Sequence, residues 1–279
     1  MKIRSTVTAA LLATALASTA QADQGVSLGT TYTDFTTWTL AGSARAQNTT
    51  PGNGFTYSDL ILTDVGVGGS AGSGFAPTAL TLDFNQAFAF DFHFFIPTNA
   101  DLRGDGLTFT LATAPGLGYG GSGLGYEGLA GASVAFAVDT FHFDGEAVSP
   151  SLQILANGSV TPLAVTETGL GDDIRDDAAH THDQWYATLA YTPSGLGDNS
   201  GLFSGSIAEP NLGSFSVQAA VDFSGLAGAP VFYGFTAGNG LATDGHYVTS
   251  AVAVPEPGSW ALLLAGLGVA GVIARRRRA

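Results

Sequence analysis

Apolar residues recur at every second position along the middle of the chain, in short runs that glycine, asparagine and proline interrupt. The clearest case is the segment 79–95 (ALTLDFNQAFAFDFHFF), in which leucines and phenylalanines alternate with small or polar residues. A period of two places alternate side chains on one face of a β-strand, whereas a helix needs a period of 3.6. We therefore predict two half-buried strands here, with a turn or bulge at Asn85–Gln86.

The same pattern predicts strands through the rest of the chain, about every eight to twelve residues. Within 152–165 (LQILANGSVTPLAV), Asn157–Gly158 marks a hairpin turn, because both residues tolerate a left-handed backbone. No apolar stripe of helical period lasts for three turns. Further strands are predicted over 34–43, 60–63, 107–112, 133–141, 185–191, 202–207, 215–220, 230–235 and 246–254. This spacing, over roughly 230 residues, indicates one all-β sandwich or barrel domain.

The two ends of the chain differ from its middle. Residues 1–22 contain Lys2 and Arg4, a short apolar run and an A-x-A sequence, which is the pattern of a secretory signal peptide. At the other end, a Pro-Glu-Pro sequence (255–257) precedes the uncharged run 258–274 and the arginines 275–278. Such a run followed by arginines predicts a transmembrane helix that leaves the bulk of the protein outside the cytoplasm. We thus divide the chain into a signal peptide (1–22), a β-sandwich (23–253) and a C-terminal membrane segment (254–279).

Charge and cysteine content exclude several classes of function. The net charge of −14 and the pI near 4.3 argue against a nucleic-acid partner, which requires a basic surface. The absence of cysteine excludes disulfides, thiolate metal sites and lipid attachment to cysteine. The domain must therefore be stabilised mainly by burial of its core.

The stretch 104–144 is the strongest candidate for a binding site. It holds strand patterns at 107–112 and 133–141, and a loop with eight glycines between 116 and 131 separates them. Asp105 directly precedes the first strand, and Asp139 lies within the second. Carboxylates accept hydrogen bonds from hydroxyl groups, and a glycine backbone lets a ligand approach closely. This combination suits a small polyhydroxylated ligand.

Two other polar clusters favour surface roles. The segment 169–184 (GLGDDIRDDAAHTHDQ) is rich in aspartate and includes His180 and His182, so that a divalent cation could bind there. Its spacing matches no calcium-loop motif, and we prefer a solvated acidic loop. Asp91 and His93 lie on the outer face of their predicted strand, which indicates a surface pair rather than a site.

The C-terminal segment combines three parts in a fixed order: Pro255–Glu256–Pro257, one apolar helix and a terminal arginine cluster. In this it resembles the PEP-CTERM sorting signal of Gram-negative bacteria. The resemblance implies that an exosortase recognises and removes the tail. It also implies that the protein then resides in the cell envelope or the extracellular matrix.

Five segments of the domain carry a second resemblance. They are WTLAGSA (38–44), GSGF (72–75), GDGLTFTLA (104–112), VAFAVDTF (134–141) and a run from VDFSGL to DGHYV that ends at 248. In this order and with these gaps they resemble the legume-type (L-type) lectins, especially bacterial ones, over most of 34–254. The resemblance implies a concanavalin-like jelly roll of two packed antiparallel sheets.

This second resemblance assigns roles to individual residues. Asp105 matches the aspartate that accepts hydrogen bonds from sugar hydroxyls, and its peptide bond to Gly104 is usually cis in that family. Gly121 or Gly123 matches the glycine whose N–H contacts the same sugar. The turn 238–241, which contains Asn239, corresponds to the loop that determines sugar specificity.

The metal site implied by the resemblance is incomplete. Asp139 matches an aspartate that binds calcium and a transition metal, and Phe141 matches a residue whose carbonyl binds calcium and whose ring can stack on the sugar. Ala137 stands in place of a metal-binding glutamate, and Phe143 and Ser151 stand in or near the places of an asparagine and a histidine. Hard cations need several oxygen ligands. We therefore expect no transition metal and at best a weak calcium site, whose ligands would be Asp139, the Phe141 carbonyl and Asp144.

We predict an exported, surface-sorted protein that binds a glycan without catalysing a reaction. Its other partners would be the exosortase and, through the C-terminal helix, the membrane. One alternative is a structural matrix protein that keeps the fold but binds no sugar. A glycoside hydrolase, which needs two facing carboxylates, is disfavoured. None of the five glutamates lies in an E-x-D-x-x-E pattern, and Asp139 with Asp144 is the only acid pair on a predicted strand.

Overall fold

The computed structural model describes residues 24–50, 55–99, 102–177 and 184–253, so the predicted signal peptide and the C-terminal segment 254–279 lie outside the described residues. The strands are β1 (Val26–Ser27), β2 (Thr39–Gly42), β3 (Arg45–Thr49), β4 (Phe55–Thr63), β5 (Ser70–Phe75), β6 (Phe88–Phe95), β7 (Gly106–Ala112), β8 (Ser133–Asp139), β9 (Ser151–Ala156), β10 (Ser159–Glu167), β11 (Trp185–Pro193), β12 (Ser200–Glu209), β13 (Gly213–Asp222), β14 (Phe232–Asn239) and β15 (His246–Ala253). Within these residues no helix is long and apolar enough to span a membrane.

The strands form two sheets, which confirms the predicted all-β fold. One sheet has the order β13-β12-β11-β6-β15-β4-β3, with the short β1 beside β6, and the other has the order β10-β9-β8-β7-β14-β5-β2. All neighbours are antiparallel except β1, which runs parallel to β6. The chain crosses repeatedly from one sheet to the other, which places β7 between β8 and β14.

The main core lies between the two sheets. The alternating phenylalanines of β6 are all buried, as the period of two predicts, and Phe90 and Phe92 pack on rings from β7 and β14. Phe92, for example, lies with its ring centroid 5.8 Å from Phe109 and 4.8 Å from Phe235. Burying a side chain of this size contributes about 1.5–3 kcal/mol. These aromatic contacts therefore bind the sheets together and hold β7 and β14 rigidly in place.

A second, smaller core fixes the glycine-rich loop. Leu124, Tyr126 and Leu129 of this loop pack on the outer face of the seven-stranded sheet, against Ala135 and Ala137 of β8. The Tyr126 hydroxyl also hydrogen-bonds to the Ser133 hydroxyl at 2.9 Å. Because small alanine side chains leave room above the sheet, the loop lies flat on it. The loop is thus a packed element despite its glycine content.

Two predicted strands differ from the structure. The segment 80–84 is not a strand: only Leu80 forms an isolated bridge, to Val231, and Phe84 closes the end of the sandwich by stacking on Phe223. The predicted strand 34–43 begins with a 3-10 turn, because the Asp34 carboxylate caps the Thr36 N–H, and the strand itself starts at 39. The hairpin turn at Asn157–Gly158 is confirmed, with φ of 54° and 66°.

The predicted surface pair of Asp91 and His93 was also wrong for Asp91, which is buried. The short strand β1 covers this side of β6, and the Ser27 hydroxyl donates to the Asp91 carboxylate. His93 packs its ring against Tyr186. The sequence pattern identified the outer face of the strand correctly, but it could not show that the N-terminal segment lies over it.

Candidate functional site

Asp105 lies at one end of the seven-stranded sheet, where β7 begins between two neighbouring strands. The next residue, Gly106, pairs with Asp139 of β8 on one side and with Gly238 of β14 on the other. The peptide bond from Gly104 to Asp105 is cis, as the resemblance implies. Asp105 N–H donates to the Gly238 carbonyl at 3.1 Å, and its own carbonyl accepts from Thr140 N–H at 2.8 Å. The backbone of Asp105 is therefore fixed from both sides.

The Asp105 side chain faces two glycines. Its carboxylate accepts a hydrogen bond from the Gly240 N–H. A methyl group placed on Gly240 would lie 2.9 Å from Asp105 Oδ2, and one placed on Gly121 would lie 3.6 Å from it. Gly123 instead faces Tyr119 and Glu127. Of the two predicted glycines, Gly121 is thus the one beside the carboxylate, and its φ of 63° favours glycine there.

Asp105 Oδ2 is buried, and no donor among the described residues reaches it. Burial raises the pKa of Asp105 to about 6, the Gly240 N–H opposes that rise, and the charge of Asp244 adds to it. A buried acceptor without a donor costs roughly 1–3 kcal/mol. A ligand hydroxyl that donates to Oδ2 would recover this cost, so the oxygen is suited to accept from a ligand.

Asn239 supports the site rather than pointing out of it. Its side chain is fully buried, and its Nδ2 donates to the carbonyls of Val67 at 3.1 Å and Asp244 at 2.8 Å. These two bonds tie the turn that carries Gly240 to neighbouring loops. Asn239 therefore holds the Gly240 backbone in place above Asp105.

Exposed apolar side chains lie next to these glycines along the chain. Tyr119 is 71% exposed and lies two residues before Gly121, while Leu241 is 94% exposed and directly follows Gly240. The Phe141 ring is half-buried and meets the exposed Phe143 ring edge-to-face, with centroids 5.0 Å apart. Sequence reasoning did not single out Tyr119 or Leu241. The available signal was a large apolar residue next to glycines in a loop.

A hollow of about 360 Å³ lies on the outer face of β8, β9 and β10. It is lined by Ser122 and Leu124 of the glycine-rich loop, Asp139, Phe141, the segment 145–147, Gln153, the segment 160–162 and Val165. Asp105 is not part of this lining. The structure therefore does not place Asp105 and Asp139 on this one lining, although the charge of Asp105 contributes to the raised pKa of Asp139.

Both carboxylate oxygens of Asp139 already have partners. Oδ1 accepts from the Phe141 N–H at 3.1 Å, and Oδ2 accepts from Gln153 Nε2 at 2.7 Å. Gln153 Nε2 also donates to the Ser151 hydroxyl at 3.0 Å. Burial raises the pKa of Asp139 to about 7; these bonds oppose that rise, and the charges of Glu146 and Asp105 add to it. Sequence reasoning missed Gln153, although it is the only polar residue within the apolar run LQILA.

These residues do not fit a metal ion. Asp144 is exposed and lies outside the lining of the hollow on β8, β9 and β10. Glu146, the other nearby carboxylate, accepts from the Phe143 N–H at 2.7 Å. The described residues contain no group of three or more histidine, aspartate or glutamate side chains placed to hold a metal. Gln153 Nε2 donates to Asp139 Oδ2, an oxygen that would have to be free in order to bind a metal ion.

The acidic segment 169–184 is only partly described. Asp172 accepts from both Arg103 and Arg175, at 2.9 Å each. His180, His182 and the residues around them lie outside the described part of the chain. Asp172 is thus an ion-pairing residue, and the Asp176 backbone pairs with Ile96 and Thr98, so the described part of this segment is packed against the domain.

Comparison with known proteins supports both resemblances. Residues 253–278 match the PEP-CTERM protein-sorting motif. The fold is similar to that of the basic winged bean lectin solved with Tn-antigen, with 21% identity and a TM-score of 0.58 over 77% of this chain and 92% of that one. It is also similar to a seed lectin isoform of Lotus tetragonolobus, with 16% identity and a TM-score of 0.58 over 81% and 96%. No curated protein matches the chain in sequence.

A third similar structure is the metal-free form of lectin I-B4 from Griffonia simplicifolia, with 19% identity and a TM-score of 0.57 over 77% of this chain and 93% of that one. At such identities the likeness establishes the fold alone. The chain thus has a legume-lectin-like jelly-roll sandwich and a PEP-CTERM sorting motif.

Proposed function

We propose that the protein is an exported, surface-sorted carbohydrate-binding protein without catalytic activity. The observation that carries this proposal is the Asp105 Oδ2 atom, a buried acceptor without a donor among the described residues that lies against the backbone of Gly121 and Gly240. A sugar hydroxyl supplies the missing donor, and the absence of side chains on Gly121 and Gly240 leaves room for the ring.

In the proposed complex, Asp105 accepts hydrogen bonds from two sugar hydroxyls, and the N–H of Gly121 donates to the same sugar. The rings of Phe141 and Tyr119 offer apolar surface to its C–H face. Asn239 keeps the Gly240 turn in place. The site is shallow, so several copies on one surface would raise the overall strength of binding to a polysaccharide.

The proposed route to the surface uses both ends of the chain. Residues 1–22 act as the signal peptide, and the apolar run 258–274 holds the protein in the membrane until an exosortase recognises the motif at 253–278. The domain 23–253 then resides in the cell envelope or outside the cell. Export is consistent with the lack of cysteine, because the fold needs no oxidative step.

Two alternatives remain. The missing metal ligands favour a structural matrix protein that keeps the lectin-like fold without binding sugar. Asp139 and Glu146 both line the hollow on β8, β9 and β10, and this pair of carboxylates is the observation that favours a glycoside hydrolase. Such an enzyme would release reducing ends from a bound polysaccharide, whereas a binding protein would release none.

A glycan array tests the proposal with the full-length chain. The wild type is expected to bind a defined set of glycans, and Asp105→Asn is expected to lose that binding because the charged acceptor is gone. Asp222→Asn, at an exposed carboxylate far along the chain on β13, serves as the matched control and is expected to bind normally. Absence of binding by the wild type would favour the matrix protein. Equal binding by Asp105→Asn would place the site elsewhere.

A further inference from the structure

Basic side chains are scarce in the sandwich domain. Residues 23–253 contain Arg45, Arg103 and Arg175 and no lysine. Arg45 forms an exposed pair with Asp64. The other two arginines are largely removed from solvent, and both form ion pairs with Asp172. In so acidic a domain, this placement of two of the three cations needs a reason.

Arg103 binds both ends of the loop that runs from β8 to β9. Its Nε donates to the Thr140 carbonyl at 3.3 Å, and its Nη2 donates to the Ser149 carbonyl at 3.2 Å. Its Nη1 donates to Asp172 Oδ1 at 2.9 Å. A guanidinium group can hold three acceptors at once because its donors are arranged as a rigid fork. Arg103 therefore gathers oxygen atoms around one positive charge, as a bound metal ion does.

Arg175 continues this chain of contacts to the site itself. It contacts Asp172 Oδ1 at 2.9 Å and Asp244 Oδ1 at 3.5 Å, and the Asp244 side chain is fully buried. Asp244 Oδ2 then accepts from the Gly104 N–H at 3.0 Å, one residue before Asp105. A buried carboxylate is tolerated only when it is paired and hydrogen-bonded. Thr98, the Gly104 N–H and Arg175 therefore stabilise the Asp244 carboxylate together, and Asp244 in turn holds the backbone of Gly104 next to Asp105.

On the opposite side of Asp105, the Gln153 amide occupies the space between Asp139 and Ser151. Hydrogen-bond donors of the protein thus hold the carboxylates on both sides of the site. We propose that Arg103 and Arg175 are positioning residues that keep the Asp105 site in its binding conformation without any metal ion. This inference rests on the proposed carbohydrate-binding function.

The first test asks whether metal is needed. The full-length chain is purified with EDTA, analysed for metal by mass spectrometry, and melted in EDTA, CaCl2 or MnCl2. We expect substoichiometric metal, the same unfolding temperature in all three, and unchanged binding to the array glycan that gives the strongest signal. Loss of binding or of thermal stability in EDTA, restored by either cation, would overturn the inference. If no glycan binds, the proposed function fails. The metal content and the unfolding temperatures then still show whether the protein needs a metal ion.

The second test replaces the fork of Arg103. Arg103→Met and Arg103→Lys are both expected to weaken glycan binding at least about tenfold, because an ammonium group cannot reach both carbonyls and Asp172 together. The lysine variant keeps the charge and the long stem, so it remains informative if the methionine variant does not fold. Arg45→Met is the matched control and is expected to bind normally. Normal binding by Arg103→Lys would contradict the proposal.

The third test separates positioning from general stability through the pH profile of binding. The charged groups around Asp105 are those of Asp244 and of Asp139 at the end of β8, and the Gly240 N–H donates to it. Asp244→Asn keeps an acceptor for Gly104 but removes a negative charge, so the binding midpoint should move to lower pH. Arg175→Met leaves Asp244 unbalanced and should move the midpoint to higher pH, and Arg175→Lys should restore it. An unchanged midpoint in both variants would show that the pair does not act on Asp105.

Discussion

The Asp105 carboxylate rests directly against the backbone of Gly240: it accepts the Gly240 N–H, and a side chain on Gly240 would start 2.9 Å from its Oδ2 atom. This contact joins the start of β7 to the turn after β14. Through this contact the turn after β14 helps to bury the carboxylate and supplies it with one donor. Oδ2 has no donor among the described residues, and it is the oxygen that we propose accepts from a ligand.

Gly240→Ala should abolish glycan binding while leaving the fold intact, because the new methyl group displaces the Asp105 carboxylate from its position. The measurement is array binding together with the unfolding temperature. In an Asp105→Asn background the same change should have little further effect, since the displaced group no longer contributes. Two fully additive losses would indicate that Gly240 acts independently of Asp105.

Glycan binding should weaken as the pH falls through about 6. Burial is the main cause of the raised pKa of Asp105, so its carboxylate becomes protonated about two units earlier than a free aspartate. Because only the ionised form accepts with both oxygens, affinity at pH 5 should be about tenfold lower than at pH 8. Isothermal titration at several pH values checks this, and a flat profile between pH 5 and 8 would exclude Asp105 as the main acceptor.

Asp139→Asn should stabilise the protein at pH 8. The folded-state pKa of Asp139 is raised to about 7, above its unfolded value of 3.8, so the native state binds more protons between these values and loses stability as the pH rises through them. The amide avoids this loss, and the unfolding temperature should rise by about 2–6 °C at pH 8. The difference should disappear near pH 3.5. A stabilised variant at both pH values would point to a packing effect instead.

Tyr119→Ala removes a proposed sugar contact, and Phe143→Ala removes the ring that packs edge-to-face on Phe141. Each should lower glycan affinity by about two- to tenfold, the range that one aromatic contact contributes. Both side chains are exposed, so the unfolding temperature should stay unchanged. Leu196→Ala, at an exposed leucine between β11 and β12, is the matched control and should bind as the wild type does. If neither aromatic variant differs from this control, the sugar does not extend over these rings.

The sequence determined the features that depend on neighbouring residues. The period of two in 88–95 predicts a strand and its buried face, because alternation is a property of the extended backbone itself. Asn157–Gly158 predicts its hairpin turn for the same local reason. Asp105 could be singled out because it lies beside a strand pattern and a glycine-rich loop. The segment 80–84 shows the limit of such reasoning, since it alternates equally well but has no neighbouring strand to pair with over most of its length.

Only the tertiary structure decided what surrounds the candidate site. Arg103 meets Asp172 from 69 positions away, and Gly104 meets Asp244 from 140 positions away. Likewise, the choice of Gly121 over Gly123 depends on which side of a packed turn faces Asp105. Such contacts follow from the order in which strands join the two sheets, and no local pattern encodes that order. Asp105 can therefore be identified from the local sequence. The burial, the partners and the raised pKa of its carboxylate arise instead from distant segments that the fold brings together.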